Sequence, residues 1–170
     1  MRKYVLVIAC LLAFYMDSIL FPLIGLRTFG PEAILALIVS LGVLSGAETA
    51  VWIGALMGAL LDILFNKIFG ISSLFYILAA LAGGIFHNKF YADNSIIPGV
   101  TAAAVMFLKE HIMLIIVLLS GGRVESYVMI LLTHILPASL LTGGLCALLY
   151  AVLGRVLYRP HARRDIDNRQ

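Results

Sequence analysis

Charge is what this sequence has least of. Only 12% of its 170 residues are Asp, Glu, Lys or Arg, whereas a soluble domain carries roughly a quarter. Too few groups remain to solvate a water-exposed globular surface. Cysteine is scarce as well: Cys10 and Cys146 are the only two, both lie inside apolar runs, and no C-x-x-C spacing accompanies them. They read as reduced thiols facing lipid or core. There is no phosphate-binding glycine loop, no nucleophile elbow and no H-E-x-x-H, so no motif marks a nucleotide site, a serine hydrolase or a zinc protease. The sequence predicts no catalytic residue, no cofactor and no metal site. The net charge of +3 does not point to nucleic acid, because the basic residues sit at the chain ends rather than over a face.

What is present is apolar. Hydrophobic residues make up 62% of the chain and mean hydropathy is +1.07. The expected fold is an all-α integral membrane bundle. A helix needs about 20 apolar residues to cross a hydrocarbon core of roughly 30 Å, and six stretches qualify or nearly do: residues 4–24, 31–44, 49–65, 71–86, 95–119 and 126–157. The first begins like a signal peptide, but Asp17 interrupts it and no small-residue cleavage site follows, so it is read as a retained helix. Pro31 and Glu32 open the second, Pro in a tolerated first-turn position. Pro137 is expected to kink the sixth. The turns are too short to hold a soluble domain. Residues 1–158 therefore form one transmembrane domain, and 159–170 a short basic tail.

Orientation follows from Lys and Arg near the span ends. One side collects Arg2, Lys3, Lys89, Arg155, Arg159, Arg163, Arg164 and Arg169; the other has Arg27, Lys67 and Arg123. The positive-inside rule places both termini in the cytoplasm.

Two patterns within the spans bear on function. Gly54, Gly58 and Asp62 follow one another at four-residue intervals, with Ala55 and Ala59 beside them. They share one helical face, a small-residue strip that admits close approach of another helix. The second pattern is a set of ionisable residues inside apolar runs: Asp17, Asp62, Lys109, Glu110, His111 and His134. Such residues usually face the bundle interior or water. At 1.5 Å per residue, Asp17, Asp62, Lys109 and Glu110 all fall roughly 20 Å above the cytoplasmic ends of their helices, and His134 roughly 18 Å. One polar layer in the outer half of the membrane is expected, with Lys109 neutralising Asp62 or Asp17. An internal cluster fixing helix register, a proton relay or substrate site, and snorkelling to the surface all fit this layer.

The stretch Gly54-Ala-Leu-Met-Gly58-Ala-Leu-Leu-Asp62, followed by Gly70 after a short turn, resembles the signature region of the rod shape-determining MreD family. Pro31-Glu32 is similar to the family's Pro-acidic pair. The detailed likeness covers about residues 31–84; Lys109-Glu110-His111 maps onto no family motif. The resemblance implies a non-enzymatic component of the bacterial cell-elongation machinery in the cytoplasmic (inner) membrane. Its implied partner is MreC, and through it MreB and the peptidoglycan glycosyltransferase and transpeptidase. It also implies a six-helix fold resembling the substrate-binding subunits of energy-coupling-factor transporters. From that likeness comes the alternative, a vitamin- or small-molecule-binding transporter subunit. On either reading Gly54, Gly58, Asp62, Gly70, Pro31 and Glu32 are expected at a helix-packing or partner interface, and Asp17, Lys109, Glu110 and His134 in the polar layer.

Overall fold

A computed structural model describes residues 2–25, 30–65, 70–87, 95–121 and 127–158. Among them the chain is all-helical. The helices are α1 (Arg2–Tyr15, a π-helical turn Met16–Leu20, then Phe21–Leu23), α2 (Ala33–Ser45), α3 (Ala47–Phe65), α4 (Ile71–Ile85), α5 (Ile96–Leu119) and α6 (Tyr127–Ile130, a π-helical turn Leu131–Ile135, then Leu136–Tyr158). Four of these, α1, α3, α5 and α6, are long and apolar enough to cross a membrane. The other two are not: α2 has 13 residues and α4 has 15, or about 20 and 22 Å.

α2 is the centre of the molecule. Every residue from Ala33 to Leu44 is buried, and it packs against all five other helices. Its sequence is apolar on every side, the pattern of a helix wrapped by protein rather than one facing a boundary. α3 and α4 form the tightest pair, α5 and α6 the next, and α1 joins mainly through α2. Large side chains point outward, Trp52 at 74% and Leu56 at 69% exposure, so the outer surface is as apolar as the core. This inversion marks a protein solvated by lipid.

Glycine sets the closest approaches. A Cβ on Gly54 would lie 3.0 Å from the Tyr76 carbonyl oxygen, and one on Gly58 would overlap the backbone of Ser73. The strip on α3 is thus filled by α4 of the same chain. Gly42 and Gly83 play the same part between α2 and α4, and Gly99 and Gly143 between α5 and α6. The α2–α3 link is one residue, Gly46 at φ +91°, a conformation that favours glycine. α3 accordingly starts at Ala47, two residues before the expected Thr49.

Both π turns have the same local cause. The Phe21 amide reaches back to the Met16 carbonyl, and the Leu136 amide to Leu131, one residue further than in an α-helix. In each case the next residue is proline, Pro22 or Pro137, which has no N–H to restore the α register. The distortion expected at Pro137 is therefore present as a π turn, and Pro22 produces another that hydropathy did not announce. Of the basic residues used for orientation, Arg27, Lys67, Lys89, Arg123, Arg159, Arg163, Arg164 and Arg169 lie outside the described residues, as does the tail beyond 158.

Candidate functional site

The first turns of the two short helices, α2 and α4, need hydrogen-bond acceptors. The first N–H groups of any helix have no partner within it, and in hydrocarbon no water supplies one. Two aspartates do. Asp17, in the π turn of α1, accepts from the amides of Ala33 (2.7 Å) and Ile34 (2.9 Å) through its two carboxylate oxygens. Asp62, near the end of α3 and only 2% exposed, accepts from the amides of Gly70 (2.9 Å), Ser72 (3.2 Å) and Ser73 (3.2 Å), and from the Ser73 hydroxyl (3.3 Å). Each carboxylate lies where the positive end of a helix dipole favours it.

This corrects the expected pairing. The direct ion pair of Lys109 is with Glu32: its Nζ donates to both carboxylate oxygens, at 2.7 and 2.6 Å. The pair is largely enclosed, with side chains 13% and 16% exposed. The Tyr76 hydroxyl also donates to Glu32 Oε1, and the Lys109 ammonium sits 5.9 Å from the Tyr76 ring centroid, within cation–π range. Glu32 is the N-cap residue of α2 in extended conformation (φ −105°, ψ 100°), so α2 starts at Ala33 rather than at Pro31. Its own amide donates to Thr142 Oγ1 on α6 at 3.0 Å. One residue thus ties α4, α5 and α6 to the head of the central helix.

Hydropathy placed Glu32 at the membrane surface, and that is why the pair was missed. A signal for it exists. Only 12 residues, ten of them apolar, separate Glu32 from Ser45, too few to span about 30 Å, so one end of that segment must lie inside the membrane.

The remaining layer residues are placed as follows. Glu110 lies within electrostatic reach of Lys109, Glu32 and His134. His111 is directed away from the centre: its ring nitrogens meet the Phe107 carbonyl (2.9 Å) and the Tyr127 hydroxyl (2.8 Å) on an exposed flank. At the opposite end of the bundle, His87 Nδ1 meets the Val43 carbonyl at 2.9 Å, closing the last turn of α2. Gly70, at φ +100°, is the N-cap of α4. Buried Cys146 lies in the core beside Ser40 (3.3 Å). Among the described residues, no group of three or more metal-type ligands exists.

Above the head of α2 lies a cavity of about 490 Å³ lined by α1, α3, α4, α5 and the Gly30–Glu32 segment. Its polar wall holds Asp17, Ser18, Glu32, Ser72, Tyr76 and Lys109; the rest is apolar. At its edge Phe14 of α1 and Phe65 of α3 approach to 6.4 Å between ring centroids.

A helical bundle with an apolar outer surface and helices long enough to cross a bilayer defines a membrane-embedded helical protein. The family of rod shape-determining protein MreD matches residues 1–159, and the chain belongs to that family. No individual curated protein and no solved structure matches it.

Proposed function

We propose that this MreD-family chain is a non-enzymatic membrane component of the bacterial cell-elongation machinery, resident in the inner membrane with six spans and both termini cytoplasmic. It binds MreC and thereby supports lateral peptidoglycan synthesis. The observation that carries the reading is the family match over nearly the whole chain. The interior fits a scaffold: the carboxylates Asp17 and Asp62 are engaged with helix ends and Glu32 with Lys109, an arrangement that fixes helix positions. α2 and α4 count as spans because Asp17 and Asp62 satisfy the amides of their first turns, so their short length does not leave unpaired N–H groups in lipid.

The alternative of a small-molecule-binding transporter subunit has one observation in its favour, the cavity above α2. Depletion of the protein in its host separates the two. Rounding of the cells, reversed by re-expression of the full chain, is the expected result. Unchanged shape with loss of uptake of a vitamin would transfer the assignment to transport.

A further inference from the structure

Lipid meets this bundle over apolar belts of unequal height. Taken between the outermost exposed apolar side chains of each helix, the belt is about 30 Å on α1 (Tyr4 to Leu23), about 35 Å on α5 (Ile96 to Leu119) and about 36 Å on α6 (Val128 to Val152). On the tightly paired α3 and α4 it is only about 20 Å (Trp52 to Phe65) and about 17 Å (Leu74 to Ile85). Polar residues close both short belts, Glu48 and Asn66 on one, Ser73 and His87 on the other. A hydrocarbon core is roughly 30 Å thick. A helix that is too long for it fits by tilting, whereas tilting a short helix lowers its height further. α5 and α6 therefore suit an ordinary bilayer, and the α3–α4 face falls short of one by about 10 Å.

A face that is too short is met by a thinner bilayer, by flanking side chains that reach up to the headgroups, or by cover from other protein. Ser73, which closes the α4 belt on one side, is too short to reach far. Cover by another helix in lipid relies on small residues that let backbones approach. Here the glycines within α3 and α4 are used inside the chain: Gly54 and Gly58 lie against α4, Gly83 against Val39 of α2 and Gly84 against Ala47 at the start of α3. Bulky side chains face outward instead, among them Trp52, Leu56, Ile63, Leu74 and Leu78. The helix ends on this side are also served from within, Asp62 holding the first amides of α4 and His87 meeting the Val43 carbonyl. The face is built to be solvated by lipid, and by a thinner layer of it than surrounds the rest of the protein.

We propose that the α3–α4 face selects phospholipids with short acyl chains and thins the bilayer on this side of the protein, while α1, α5 and α6 face a bilayer of ordinary thickness. The proposal does not depend on the role in cell elongation.

Trp52 is the chain's single tryptophan, and it stands on this face, so its fluorescence reports the lipid beside it. The full chain is reconstituted in mixtures of phosphatidylcholines with fourteen-, eighteen- or twenty-two-carbon monounsaturated chains. One component at a time is brominated at the double bond, and quenching gives the relative occupancy of each lipid. Trp52 should favour the fourteen-carbon lipid over the eighteen-carbon one by about threefold, since mismatch costs fractions of a kcal/mol per Å. Trp52→Phe combined with Leu108→Trp moves the reporter to α5, and combined with Leu140→Trp to α6, both exposed positions. In whichever of these remains monodisperse, the preference should shift to the eighteen- or twenty-two-carbon lipid. A preference of Trp52 itself for the longer chains overturns the proposal, as does the same preference on both sides of the protein. So does a Trp52 that no brominated lipid quenches in folded protein, because other protein, a second copy included, then covers the face.

Discussion

The Glu32–Lys109 pair offers the sharpest test of the interior. Among the described residues, Lys109→Met leaves the Glu32 carboxylate with the Tyr76 hydroxyl as its side-chain donor; Glu32→Gln leaves an ammonium beside a neutral amide. Two bonds of 2.6 and 2.7 Å at sites only 13% and 16% exposed define an enclosed pair. Removing one partner of such a pair costs about 3–5 kcal/mol, because a charge is stranded. The double variant strands none. It should therefore be more stable than the sum of the singles by about 2 kcal/mol, within the range for residues in contact. Reversible unfolding of the four proteins in one detergent measures this. The control is Asp62→Asn combined with Lys109→Met, which should be additive within about 0.5 kcal/mol, since the donors to Asp62 come from Gly70, Ser72 and Ser73. Additivity for Glu32 and Lys109, or coupling for Asp62 and Lys109, would refute the assignment of partners.

Other outcomes follow from the same geometry. Asp62→Leu removes the acceptor shared by three amides, and Asp17→Leu that shared by two; each should cost at least about 2 kcal/mol in unfolding measurements, the upper end for a lost N-cap, with Asp62 the more severe. Gly58→Leu should abolish recovery of monodisperse protein, because even a Cβ there meets the Ser73 backbone, whereas Leu56→Ala on the exposed face should be tolerated. Equal behaviour of those two would mean that α4 does not fill the strip. Single cysteines in residues 87–94 should react with impermeant reagents only from the cytoplasm, and those in 121–125 only from outside. The reverse pattern would invert the orientation.

How much of this could be read from the sequence depended on the physical signal involved. The apolar runs located all six helices to within a few residues, because hydropathy needs no partner to be interpreted. The four-residue spacing of Gly54, Gly58 and Asp62 identified a close helix contact. It did not say which helix fills it, since small-residue spacing describes one side of an interface only. Pro137 marked one π turn; Pro22 was passed over because it lies close to the end of the first apolar run. Depth counting puts Asp17, Asp62 and Lys109 at one level and makes an aspartate the partner of Lys109. The partner is Glu32 instead, because depth counting assumes full-length spans. α2 is short, its head is sunk to the level of Lys109, and the recessed amides rather than a lysine claim the aspartates. Short apolar segments with an acidic residue at the start are therefore as informative as charges in mid-span.

The most direct test of the central claim, that this chain works as the MreD component of the elongation machinery, is its company in the membrane. Affinity purification of the tagged full chain from native membranes of its host, followed by protein identification, should recover MreC in near-stoichiometric amount. Recovery of transporter ATPase and coupling subunits with MreC absent would contradict it.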